Sequence, residues 1–210
     1  MGKRAAQAAV VLVLVVLFSG FLILGGGGPG ENACAAVTAD TASAASVKAV
    51  EGYSGDQLVN AAAIMNAGAA LGVNAKGQTI AVMTAMGEST LRNIEYGDLA
   101  GPDSRGLFQQ RDTWGTLAER MNPTTAATFF YNRLVKVPNW EGLAPAEAAH
   151  RVQINADPNH YTRFYDAAEK VVTTLAGGGD AACASTAVSG DAQAASPPPA
   201  RVVTTFSAAS

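Results

Sequence analysis

Between residues 54 and 176 apolar positions recur at spacings of three and four, which predicts a succession of helices. Ser54 with Gln57 three residues later is a capping-box signal, and Leu58, Ala61, Ala62, Met65 and Ala69 form a stripe that stops at Leu71-Gly72. Asn74 is placed to cap a second helix. Its run Ile80-Ala81-Val82-Met83-Thr84-Ala85-Met86 leaves almost no polar face, as in a helix buried all round, and it ends at Glu88. Periodicity lapses over residues 91–105, where Gly97, Gly101 and Pro102 mark a loop. A short helical stretch is expected over 107–121. Asn122-Pro123 then supplies an N-cap and first residue for a helix bearing Ala126, Phe129, Phe130 and Leu134, which Pro138 ends. Pro145 opens a further helix through Val152. Asp157-Pro158 opens the last, whose apolar face is Tyr161, Phe164, Tyr165, Ala168, Val171, Val172 and Leu175, with Gly177-Gly178-Gly179 as its stop. No segment alternates apolar and polar residues as a half-buried strand does, so the expected fold is all-α.

The flanks follow different rules. Lys3-Arg4 precedes an apolar run over residues 8–24 that only Ser19 and Gly20 interrupt. This is an export signal, intermediate between a signal-peptide core and a spanning helix of about 17–25 residues. A Gly/Pro hinge follows over 25–30 without a small-residue cleavage site, so residues 1–30 are expected to remain as a membrane anchor with the positive end in the cytoplasm. The alternative is cleavage and secretion to the cell wall; either way the domain is extracytoplasmic. Residues 31–53 are Ala/Ser/Thr-rich and read as a linker, 54–176 as the domain, and 177–210, with Ser196-Pro197-Pro198-Pro199-Ala200, as a disordered low-complexity tail. Cys34 and Cys183 bracket the domain, and in an exported chain such a pair suggests a disulfide rather than two free thiols.

Composition narrows the function. A chain of 210 residues, 49% apolar and 15% charged, can bury one good core. A net charge of −3 without a basic cluster beyond Lys3-Arg4 argues against nucleic acid as a partner. His150 and His160 are too few for a metal site, and no cofactor is expected. Trp114, Phe129, Phe130 and Trp140 read as core aromatics before sugar platforms.

That leaves Glu88. A carboxyl group half withdrawn from water favours its neutral form, so its pKa rises and it holds a proton near neutral pH, as a general acid must. Glycoside cleavage requires such an acid.

Glu88-Ser89, a loop, and Gly106-Leu107-Phe108-Gln109 resemble the Glu-Ser and Gly-Leu-Met-Gln motifs of the lysozyme-like superfamily, nearest to its soluble lytic transglycosylase and goose-type lysozyme branch. Residues 104–111, Ala148-Ala149-His150-Arg151-Val152-Gln153 and Tyr161 are similar to transglycosylase-like domains of actinobacterial cell-wall proteins and phage lysins. The resemblance spans about 120 residues and implies a lysozyme-like helical domain in which Glu88 is the catalytic acid and base. It implies further that Ser89, Ser104, Gly106, Gln109, Gln110 and Tyr161 bind substrate, Gly106 letting the backbone approach and a glutamine amide bonding an acetamido or hydroxyl group. Gly87 stands where the family often has Gln, and the Ala-Tyr-Asn motif has no clean match, Tyr131-Asn132 and Tyr161 competing for it. Asp98, Asp103 and Asp112 are candidates for a second carboxylate, none at a family-matched position. The implied activity is cleavage of the β-1,4 bond between N-acetylmuramic acid and N-acetylglucosamine in peptidoglycan glycan strands. The alternative is a catalytically idle domain that binds glycan or serves as a scaffold with partners in an envelope-spanning assembly.

Overall fold

The computed structural model describes residues 35–99 and 101–177. Among these residues there are seven α-helices and no strand: α1 (Thr41–Ala44), α2 (Asp56–Ala70), α3 (Ala75–Ser89), α4 (Leu117–Arg120), α5 (Pro123–Leu134), α6 (Pro145–Gln153) and α7 (Tyr165–Leu175). Short 3₁₀ turns at Asp112–Trp114, Trp140–Gly142 and Thr162–Phe164 join them.

Helix α3 is the axis of the fold. Asn74 Oδ1 accepts from the Gly77 N–H at 3.0 Å, the cap expected from the sequence. Twelve of its fifteen residues are buried, because α2, α5, α6 and α7 all pack against it. The buried hydroxyls of Thr79, Thr84 and Ser89 bond back to the carbonyls of Ala75, Ile80 and Ala85, so this polar content is satisfied within the helix. Where neighbours must come closest the sequence has glycine. A Cβ on Gly77 would lie 2.9 Å from Trp140, and one on Gly68 would lie 2.8 Å from the Tyr131 ring, whose hydroxyl donates to the Ile64 carbonyl at 3.1 Å. Tyr131 is thus a core residue on the α2 side. Trp140 is half-buried against the core, and Phe108 stacks on Phe130 at 5.0 Å between ring centroids.

Helices α5 and α6 start as expected, with Pro123 and Pro145 in their first turns, and α5 carries its expected cap, Asn122 Oδ1 accepting from the Thr125 N–H at 3.0 Å. At the start of α2 only half of the capping box forms: Gln57 Oε1 accepts from the Ser54 N–H at 3.3 Å, while Gly55 takes the cap position.

Three expectations are revised. Residues 35–53 do not behave as a linker. Two side-chain amides grip this backbone from the helices, Gln78 exchanging bonds with both backbone groups of Val37 and Asn66 with both of Ala39. Ala44 is buried in α1, so the packed unit starts well before residue 54. Residues 107–110 form a tight turn closed by an antiparallel bridge between Arg105 and Gln110, and helix begins only at the 3₁₀ turn at Asp112–Trp114. The last helix starts at Tyr165 rather than at Pro158, because Asp157 accepts from the Asn159 N–H at 2.8 Å in a local turn that diverts the chain. Gly177, at φ +79°, closes α7 as expected.

The expected membrane segment (1–30), both cysteines (Cys34 and Cys183) and the tail beyond residue 177 lie outside the described residues. Among the described residues no helix is long and apolar enough to cross a membrane.

Candidate active site

Glu88 occupies the last turn of α3, and the chain leaves that helix through two successive left-handed residues, Thr90 (φ +53°) and Leu91 (φ +60°). Left-handed backbone is unfavourable for side chains with a Cβ and persists where surrounding structure fixes it. Here α2 does so: Gln57 Nε2 donates to the Thr90 carbonyl at 2.8 Å and Asn60 Nδ2 to the Leu91 carbonyl at 2.9 Å. The carboxylate therefore rides on a helix end pinned from outside.

Two other segments converge on it. The Tyr161 hydroxyl donates to Glu88 Oε1. The Gln153 amide hydrogen-bonds to the same carboxyl group and donates through Nε2 to the Phe108 carbonyl at 2.9 Å, joining the end of α6 to the turn at 106–110. His160 packs edge-on to Tyr161 at 4.9 Å, its Nε2 3.4 Å from the Gly87 carbonyl. Burial pushes the Glu88 pKa up; the Tyr161 hydroxyl, the charge of His160 and the Gln153 amide oppose it without cancelling it. Burial and the adjacent Glu88 charge push the Tyr161 phenol far above its usual range, so it remains a proton donor in a hydrogen bond at every physiological pH.

The absence of a side chain at Gly87 has a local reason. A Cβ there would sit 2.8 and 3.0 Å from the Tyr161 ring and 3.3 Å from Phe164. The bare helix surface is what admits the tyrosine to Glu88. Of the two tyrosines left open by the sequence, Tyr161 is at the carboxylate and Tyr131 is in the core.

The turn at 106–110 forms one wall. Gly106 has φ +76°, and a Cβ on it would fall 2.1 Å from the Arg120 carbonyl, so this position admits only glycine without a backbone shift. Its N–H donates to the Ile94 carbonyl at 2.8 Å. Arg120 is 6% exposed and binds three backbone carbonyls, those of Asp103 (2.6 Å), Gln110 (2.9 Å) and Gly115 (3.0 Å), lacing the loop to α4. Ser89 donates to the Leu107 carbonyl at 2.8 Å, attaching the turn directly to the helix that bears the carboxylate.

Glu88 opens on a groove of about 590 Å³, within the usual size range of small-molecule sites. Ser104 and Gln109 line it, together with Asp98, Trp114, Gln153 and Asn155. Gly106 shapes its wall. Three expected substrate contacts are corrected. Ser89 is 4% exposed and spends its hydroxyl on two carbonyls. Gln110 is 1% exposed and points inward, its Nε2 donating to the Ala126 carbonyl at 2.9 Å, because the Arg105–Gln110 bridge turns it opposite to Gln109. Tyr161 is fully buried and contacts the carboxylate rather than the groove.

Of the three aspartates, only Asp98 lines the groove; Asp103 is tied to Arg111 and to the Asp112 N–H. Trp114 packs half-buried against the core, as expected, and its remaining surface lines the groove, with the Arg133 guanidinium 3.2 Å from its ring centroid. Gln153 and Asn155 were not singled out as binding residues from the sequence; Gln153 stood only within a family-like string, and nothing local to it announces Glu88 as a partner. Among the described residues no group of three His, Cys, Asp or Glu side chains is placed to hold a metal ion.

Compared with known proteins, the chain matches no family model, and no curated protein matches it.

Proposed function

We propose that this chain is a lysozyme-like, peptidoglycan-cleaving enzyme that cuts the β-1,4 bond between N-acetylmuramic acid and N-acetylglucosamine, with Glu88 as general acid and then general base. The observation that carries this reading is a half-buried carboxyl group, its pKa raised by burial, held by the Tyr161 hydroxyl and the Gln153 amide at an open groove. Protonated Glu88 gives its proton to the glycosidic oxygen as the bond to C1 breaks. The carboxylate so formed is stabilised by the two donors already bonded to it. It then accepts the proton of the muramic acid C6 hydroxyl as that oxygen bonds to C1, which yields a 1,6-anhydro end and returns Glu88 to its starting state.

Hydrolysis would instead need water and a second carboxylate, about 5 Å away for retention or about 6.5–9.5 Å away for inversion. Asp98 is the aspartate positioned along the groove to be tested for that role. Mass analysis of muropeptides from a digest in ¹⁸O-water distinguishes the routes. Anhydro ends without label are the expected result. Labelled reducing ends that disappear in Asp98→Asn would establish hydrolysis, and no cleavage of any peptidoglycan would favour the glycan-binding or scaffold alternative. The same reading places the domain outside the cytoplasm, where its substrate is, held at the membrane or released to the wall.

Tyr161→Phe gives a pH test. The hydroxyl bonds to the charged form of Glu88 and lowers its pKa, so its removal raises that pKa further. An acid is needed in its protonated form, and the alkaline limb of the kcat/KM profile is therefore expected to move to higher pH. The fold should lose only about 1 kcal/mol, the usual worth of one hydrogen bond.

A further inference from the structure

Ile154 combines two features that are each unfavourable to the folded chain alone. It ends α6 in the left-handed region, at φ +55° and ψ +41°. Helices commonly end in this conformation, but with Gly or Asn, because a Cβ crowds the neighbouring carbonyl and branching at that carbon makes matters worse. Its side chain is also 81% exposed, so burial returns nothing for the strain. Leu91, the other large aliphatic residue with positive φ among the described residues, differs on this point: it is fully buried, and its core contacts explain it.

The position of Ile154 supplies the missing reason. It lines the Glu88 groove between Gln153, bonded to the carboxylate, and Asn155, whose Oδ1 lies 2.7 Å from His150 Nδ1. A second exposed apolar side chain, Tyr96 at 73%, lines the same groove from the loop over 91–105. The groove thus offers amides and a carboxyl group near the reacting centre and exposed apolar surface beside them. An N-acetylated sugar has the complementary division, with hydroxyl and amide edges, C–H ring faces and an acetamido methyl.

Resting on the function proposed above, we propose that Ile154, with Tyr96, is a substrate-contacting residue that covers the apolar surface of an N-acetylated sugar in the glycan strand. Binding buries the side chain that the free protein leaves in water, and the left-handed turn is kept because glycine or asparagine could not make that contact.

The test uses the full chain with Ile154→Gly, Ile154→Asn and Ile154→Leu, assayed on peptide-free glycan strands and on intact peptidoglycan. Gly and Asn relieve the backbone, so their melting temperatures should equal or exceed that of the wild type. Their KM should rise about five- to tenfold, the loss expected for removing part of one aliphatic contact, with kcat within about twofold. Ile154→Leu, still apolar, should recover most of the affinity. The inference is overturned by an unchanged KM in the Gly and Asn variants, by a lowered melting temperature with a parallel fall in kcat, or by a loss confined to peptide-bearing substrate. If the wild type cleaves glycan in a Glu88-dependent manner and these variants match it, this inference alone fails; a wild type that neither binds nor cleaves glycan fails the functional reading first, and this inference with it.

Discussion

Glu88→Gln is expected to slow glycan cleavage by about 10²- to 10⁴-fold, the usual contribution of a positioned general acid. The substitution keeps size and an acceptor oxygen for the Tyr161 hydroxyl but removes the transferable proton. Its effect on stability has the opposite sign. Burial holds the Glu88 pKa above its value in the unfolded chain, so the contribution of Glu88 to stability is fully present below the ordinary carboxylate range and is lost as pH rises through the folded-state pKa. Glutamine has no such dependence. The variant should match the wild type in acid and exceed it near neutrality. Thermal unfolding across pH, measured beside turnover and beside binding to insoluble cell wall, checks both halves. Near wild-type cleavage by the variant would remove Glu88 from the role of acid, and a variant less stable at neutral pH would contradict the buried-carboxyl account.

The second large effect is on the fold. Gly106→Ala should destabilise the domain by about 2–5 kcal/mol, the sum of about 1–2 kcal/mol for a Cβ at positive φ and about 1–3 kcal/mol for overpacking against the Arg120 carbonyl. Gly72→Ala is the internal control: its φ is +69°, but a Cβ there meets nothing within 4 Å, so only the conformational cost applies. Urea unfolding of the two variants isolates the contact energy as their difference. Because Gly106 begins the turn that carries Gln109, cleavage should fall even where most of the Gly106→Ala protein remains folded. Equal midpoints for the two variants would show that the turn gives way at no cost.

What the sequence made legible was local. Asn74, Asn122-Pro123 and Pro145 act on their own helix ends, and the unbroken apolar run before Glu88 follows from a helix surrounded by partners. What stayed hidden depends on distant residues. The backbone over 35–39 has no apolar rhythm because it is held by the amides of Asn66 and Gln78. Gln109 and Gln110 are indistinguishable by composition, yet a positive φ of +46° at the first and a backbone bridge at the second send one to the groove and the other into the core. The tyrosine that reaches Glu88 was one of two candidates; a glycine on the facing helix decides between them, and a single sequence does not pair Gly87 with Tyr161.

The hydrogen bond from Tyr161 to Glu88 spans 73 residues, and this separation matters while the chain is being made. A growing chain has its carboxylate long before residue 161 has been made, and Tyr161 lies just ahead of the last helix, which packs on the same axis. Until then Glu88 lacks its hydroxyl donor and the Gly87 surface is uncovered. The tuned environment of the acid is completed by residues made near the end of the domain, so that a nascent chain is without its complete chemistry until nearly the whole domain has emerged.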